Sequence, residues 1–138
     1  MKSQSCKAKG RNLQKHVCAT LTEIFSWDEG DAESRSMGSA GIDVMLSPRA
    51  RRDFPFSIEC KNTKVRPTTK AQKQAAYNKY KGTLPGVVWK PHGKPFSDSV
   101  ITFNLAEFAT FYKGIIGEAY NNKCKEVPDA QQTESHPF

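Results

Sequence analysis

Apolar residues recur at helical spacing near the start of the chain. Leu13, Val17, Leu21, Ile24 and Phe25 fall on one stripe of a helix over residues 10–25, ended by Asp28-Glu29-Gly30-Asp31. A short strand is expected over 32–35, then a turn of small residues from Ser36 to Gly41. The period then changes to two. Gly41-Ile42-Asp43-Val44-Met45-Leu46 and Phe56-Ser57-Ile58-Glu59-Cys60-Lys61-Asn62 alternate in character. The polar segment between them, with Pro48, Arg49, Arg51 and Arg52, reads as the long loop of a β-hairpin. Strand side chains alternate faces, so Ile42, Val44 and Leu46 share one face and Asp43 takes the other. In the partner run Phe56, Ile58 and Cys60 take the core face, and Ser57, Glu59 and Lys61 the opposite one.

Past the hairpin, a loop over 65–69 leads through a capping threonine into a helix over 70–81, stopped by Gly82. Ala71, Gln74, Ala75 and Asn78 form a stripe of small and amide side chains on it, suited to close approach to a sheet. Strands are expected over 86–90 and 99–103, and a helix over 105–113. This order implies an α/β fold, a central mixed β-sheet flanked by α-helices. Residues 1–8 read as a flexible basic arm, 9–116 as one domain, and 117–138 as a polar, flexible tail.

A chain of 138 residues, 37% hydrophobic and 25% charged, has room for one core. No apolar run reaches the roughly 20 residues of a membrane helix, and Met1-Lys2-Ser3-Gln4-Ser5 has no apolar stretch behind its charge. A cytoplasmic protein with no membrane partner is the expectation. The net charge of +7 points to a polyanionic partner. Candidate DNA contacts are Lys7, Lys9 and Arg11 near the start, Arg35, the loop residues Arg49, Arg51 and Arg52, and Lys64, Lys70 and Lys73. The loop is either a DNA-facing rim or a solvated connector. Cys6, Cys18, Cys60 and Cys124 show no CxxC spacing, and His16, His92 and His136 do not group with them, which speaks against zinc. Cys18 and Cys60 are expected as small core residues.

The hairpin would gather Asp43, Glu59 and Lys61 on one side, its other side being buried. Paired carboxylates suit Mg2+, with Mn2+ as a substitute, because such ions take oxygen donors; the Cys60 backbone carbonyl is a further candidate ligand. Lys61 can orient a water or neutralise charge as a pentacovalent phosphate develops. An ExK tripeptide alone reads far more readily as a surface salt bridge. The preceding turn, Ser36-Met37-Gly38-Ser39-Ala40-Gly41, makes the pattern more specific, since its backbone N–H groups suit a phosphate.

Together these residues resemble the PD-(D/E)xK nuclease superfamily, and within it the archaeal-type Holliday junction resolvases and their phage-encoded relatives. The similarity spans roughly residues 7–112. Lys9-Gly10 opens the first helix as a KG pair does there, Arg35 to Asp43 is similar to the family's loop before the catalytic aspartate, and Ile58-Glu59-Cys60-Lys61-Asn62 resembles its ExK strand. Gln74 matches a glutamine common on the following helix, and residues 84–90 resemble the next strand. The resemblance implies a restriction-endonuclease-like core, metal ligation by Asp43 and Glu59, a catalytic Lys61 supported by Gln74, and a loop serine that is either Ser36 or Ser39. It also implies cleavage of four-way or other branched DNA in a cytoplasm, a phage host's included, by a homodimer with one active site for each cut strand. Phe108, Phe111, Tyr112, Ile115 and Ile116 are candidate interface residues, or cover for their own sheet. Two positions depart from the pattern: Gln14 stands where the family often has a glutamate, and is a weaker metal ligand, and Ile42 replaces a proline. Rival readings are another nuclease of this superfamily (a nickase, repair or restriction-type enzyme) and a non-catalytic basic nucleic-acid-binding module.

Overall fold

The structure, a computed structural model, describes residues 6–36 and 39–126. Helix α1 (Cys6–Phe25) buries Leu13, Gln14 and Cys18, with Val17, Leu21 and Phe25 packed at the margin. It starts earlier than its apolar stripe predicts, so residues 6–8, expected in a flexible arm, are helical, and residues 1–5 of that arm lie outside the described residues. Ile24, expected on the buried stripe, is exposed.

The predicted hairpin does not form. Strand β1 (Ala32–Ser34) pairs antiparallel with β2 (Val44–Leu46), with Ser34 opposite Val44. The supposed loop is instead a helix, α2 (Pro48–Asp53). Its start was visible in the sequence: Ser47 caps it, the hydroxyl accepting from Ala50 N at 3.1 Å, and Pro48 occupies the first turn, where a missing N–H costs nothing.

Strand β3 (Phe56–Thr63) pairs in parallel with β4 (Leu84–Pro91), Glu59 opposite Val87 and Lys61 opposite Trp89. Parallel neighbours need a crossover, and helix α3 (Thr69–Asn78) supplies it. Thr68 stands at its N-cap without a side-chain bond, and Lys79 ends it short of the predicted Lys81. Ala71 and Ala75 pack against Val87, as the small-residue stripe predicts. Strand β5 (Val100–Thr102) adds antiparallel to β4. The protein is thus α/β, but the one expected mixed sheet is two: an antiparallel pair, β1-β2, and a mixed sheet in the order β3-β4-β5.

The main core lies between α1 and the strands: Leu13, Cys18, Trp27, Val44, Leu46, Ala50, Ile58 and Cys60. Phe25 stacks on Trp27 at 5.0 Å, and Phe54 meets Phe56 edge-on at 4.7 Å. Ser57, expected on an open face, is buried too. Its hydroxyl meets Thr83 Oγ1 at 2.6 Å and accepts from Tyr80 N at 3.0 Å, which ties the end of the crossover to the start of β3. Cys18 and Cys60 are buried thiols, as expected; burial pushes Cys18 up to about 11 and Cys60 well above its ordinary value, so both stay protonated and inert.

The chain divides by its contacts after Asn104. Beyond that point helix α4 (Leu105–Glu126) runs past the predicted end at Lys113 and through the first part of the expected tail; residues 127–138 lie outside the described residues. Among the described residues no helix is long and apolar enough to cross a membrane.

Candidate active site

Asp43 stands just before β2, at the seam where β2 and β3 run side by side without a backbone ladder. Its carboxylate bridges that seam: Oδ2 accepts the Cys60 backbone N–H at 2.8 Å. The N–H and C=O of one strand residue point the same way, so the Cys60 carbonyl shares this edge with Asp43. The approach to Asp43 is fixed by Arg35. Its backbone N–H donates to Asp43 O at 2.9 Å, and its Nε donates to Ile42 O at 2.7 Å. Gly41, at φ +124, permits this: a Cβ there would stand 2.5 Å from the Arg35 guanidinium carbon.

Glu59 is 2% exposed. Alternation on β3 brings Lys61 to the same side, with Nζ 3.4 Å from Glu59 Oε1 and donating to Gln74 Oε1 on α3 at 3.1 Å. The other carboxylate oxygen, Glu59 Oε2, is buried with no hydrogen-bond partner. Burial, and then the Asp43 carboxylate beside it, pushes the Glu59 carboxyl from 4.5 up to about 7, against the pull of Lys61. A salt bridge built for stability would hold this carboxyl low; here desolvation wins, so the arrangement destabilises the fold that carries it.

These groups line a cleft of about 520 Å³ between α1 and α3, floored by β3. Gln14 and Gly10 lie on the α1 wall, Gln74, Tyr77 and Asn78 on the α3 wall, and Ser36, Ser39 and Gly41 on the rim. Ser39 donates to Ser36 O from both Oγ, at 2.6 Å, and its backbone N, at 3.2 Å. Asp43, Glu59, Cys60, Lys61, Gln74, Gln14, Ser36 and Ser39, predicted from scattered positions, thus meet in one place.

The predicted DNA-contacting residues are dispersed. Lys9 borders a neighbouring pocket and Lys70 a groove that runs on from Lys61 past Arg66. Lys7, Arg11, Lys64 and Lys73 are exposed away from the cleft lining. Arg35 packs inward as described. Arg49 pairs with Asp28 at 2.8 Å and Asp31 at 3.4 Å, and Arg51 donates to Leu46 O at 2.6 Å while covering the Tyr80 ring. Only Arg52 of that trio is turned out without an internal partner among the contacts described. Ser47 is the first cause that holds Asp31 below the usual carboxylate range, the 2.6 Å hydroxyl donation being part of the same cap that anchors α2. Tyr77, 90% exposed on the cleft wall, was missed by the sequence reading, although it lies three residues after Gln74 and so on the same helix face. Arg66, Lys90, His92 and Lys94 were missed as well.

Among the described residues no group of three or more His, Cys, Asp or Glu side chains is placed to hold a metal. The donor set is two carboxylates and a backbone carbonyl, all oxygen. That set, together with a partnerless buried carboxylate oxygen, fits a hard divalent ion that completes its shell with water and substrate. No known protein family, curated protein or solved structure matches the chain.

Proposed function

We propose that this protein is a divalent-cation-dependent DNA endonuclease of the PD-(D/E)xK kind, with a restriction-endonuclease-like core, cutting four-way or other branched DNA. The observation that carries the reading is Glu59: a buried carboxyl with a partnerless oxygen, beside Asp43 and on the Lys61 side of β3, held at a cost to folding. Groups kept against stability in a cleft are the signature of chemistry.

Asp43 and Glu59 would hold Mg2+ or Mn2+, with the Cys60 carbonyl as a further donor and Gln14 bordering the site. When bound, such a cation supplies Lewis acidity toward a phosphoryl oxygen and a water. The Cys60 N–H fixes the Asp43 carboxylate in place, so the donor set is formed before substrate arrives. Gln74 accepts from Lys61 and thereby aims the ammonium at the cleft, where it offsets the negative charge that develops on the phosphoryl group. The rim of Ser36, Ser39 and Gly41 offers small side chains where a backbone phosphate must approach.

Branched DNA is favoured over a sequence-specific target because the cationic groups around the cleft suit contacts to the phosphate backbone, which carry no base information. A homodimer would place one such centre on each of two strands of a junction. Phe108, Phe111, Tyr112, Ile115 and Ile116, spaced on one face of α4, are its candidate interface. The separating experiment compares a labelled four-way junction, linear duplex and single strand under Mg2+. Faster cleavage of the junction by paired, symmetric nicks supports resolution. Equal rates on all three would reassign the protein to a general nuclease of the same chemistry, and binding without cleavage of any substrate would favour the non-catalytic module.

A further inference from the structure

Beside the candidate active site lies a pocket of about 480 Å³, lined among others by Lys9, Asn62, Lys90, His92, Lys94 and Phe96. Its charge is one-sided. Lys9, Lys90 and Lys94 contribute ammonium groups, and no Asp or Glu lines it.

Lys90 is the informative residue. It is 8% exposed, yet no carboxylate pairs with it among the described residues. Its ammonium donates to Lys94 O at 2.6 Å and Pro91 O at 3.2 Å, and lies 5.5 Å from the centre of the Phe96 ring. An ammonium has three N–H donors, and two carbonyls leave one. A buried cation without a counter-ion is costly to fold, and an anion in the pocket would relieve that cost. Lys9 Nζ reaches the same pocket and is hydrogen-bonded to His92 Nε2. The turn after β4 that carries His92, Gly93 and Lys94 is held by Lys94 N donating to Pro91 O at 3.1 Å and His92 N donating to Thr63 O at 3.3 Å. The pocket is thus built from the ends of α1, β3 and β4.

We infer that this pocket is a second phosphate-binding subsite, in which Lys90, Lys9 and Lys94 grip a backbone phosphate of nucleic acid away from the point of cleavage. Three ammonium groups around one pocket, in a chain of net charge +7, favour a polyanion such as nucleic acid over a small free anion. Lys9 adjoins Gly10 on α1, and Gly10 lines the active-site cleft, whereas Asn62 and its register partner Lys90 take the face of the sheet opposite Lys61. The assignment to DNA rests on the nuclease reading; the anion site does not.

The test is an NMR titration of the full chain with inorganic phosphate against chloride at matched ionic strength, free of divalent cations. Saturable shifts are expected at Asn62, Lys90, His92 and Lys94. Lys90→Met, which keeps the apolar stem over Phe96, weakens phosphate binding about tenfold or more, as loss of one charge-assisted hydrogen bond should. Should that variant fail to fold, Lys9→Ala and Lys94→Ala, on more exposed side chains, decide the matter through losses of about two- to fivefold. Shifts spread evenly over all basic residues, or unchanged affinity in every folded variant, would overturn the site. A single-stranded or duplex oligonucleotide added to the phosphate-loaded protein should displace the phosphate. Phosphate binding that DNA does not displace overturns the nucleic-acid assignment. Because none of these readouts needs cleavage, failure of the subsite and failure of the nuclease reading remain separate results.

Discussion

In cation-free buffer the Glu59 carboxyl, pushed up to about 7, holds its proton more tightly in the folded chain than in the unfolded one, where it titrates near 4.5. Where the folded state binds more protons, stability falls as pH rises. The loss accumulates between about pH 4.5 and 7 and amounts to on the order of 3 kcal/mol at pH 8. Glu59→Gln should therefore be more stable than wild type at pH 8 without divalent ions, lack this part of the pH dependence, and cut no DNA. Urea unfolding at pH 5 and pH 8 checks the first two expectations. A Glu59→Gln variant less stable than wild type at pH 8 would show that the carboxylate serves the fold. Lys61 and Gln74 divide their roles differently. Lys61→Met should lower cleavage by about a hundredfold or more, with DNA affinity nearly kept, the size seen when a charge-stabilising donor is lost. Gln74→Ala should cost less, because the ammonium survives and only its aim is relaxed. Single-turnover rates on a common substrate check both. The sequence pattern put Glu59 and Lys61 on one side because alternation within a single strand is a local rule, whereas Asp43 stands just outside β2 and meets them through the Cys60 N–H and not through the expected hairpin. The rule could not show that Glu59 is buried, which depends on α3 closing over that face from elsewhere in the chain.

The element the sequence reading mistook is the connection from β2 to β3. Two alternating runs joined by a polar stretch look like a hairpin, yet β2 pairs with β1 and β3 with β4. Ser47 and Pro48 carried the correcting signal, a cap followed by proline in the first turn of α2. Six residues with one buried position, Ala50, show no periodicity that competes with a loop reading. The consequence reaches the chemistry. Because β2 and β3 share no ladder, the Cys60 N–H needs another acceptor, and the Asp43 carboxylate fills that place. Asp43→Asn keeps an oxygen acceptor and should fold, whereas Asp43→Ala leaves the N–H unsatisfied and should cost a further 1–3 kcal/mol or so. Ser47→Ala removes both the α2 cap and the 2.6 Å bond to Asp31, with an expected loss of about 1–2 kcal/mol by urea or thermal unfolding. Activity at temperatures below the transition should be unaffected, since α2 does not line the cleft.

The net charge of +7 is not spread as the sequence alone suggested. Two arginines on α2 have partners within the chain, Arg49 at the surface on Asp28 and Asp31 and Arg51 on the Leu46 carbonyl and the Tyr80 ring, while Lys61, Arg66, Lys70, Lys9, Lys90 and Lys94 line the cleft and the pockets beside it. DNA affinity should fall steeply with salt, and the slope of log K against log salt should lessen by about one for each phosphate contact removed. Lys9→Ala should change that slope and Arg49→Ala should not, as binding isotherms between low and moderate salt would show. Charge distribution of this kind is not readable from a sequence, because pairing partners such as Arg49 and Asp28 are 21 residues apart and meet only through the fold. The most direct measurement is cleavage of a labelled four-way junction by purified wild-type and Asp43→Asn protein, each with Mg2+ and with EDTA. Cleavage only by wild type with Mg2+, while the variant still binds the junction, is the predicted result. Equal cleavage by the variant, or undiminished cleavage in EDTA, would contradict a cation-dependent centre at Asp43, Glu59 and Lys61.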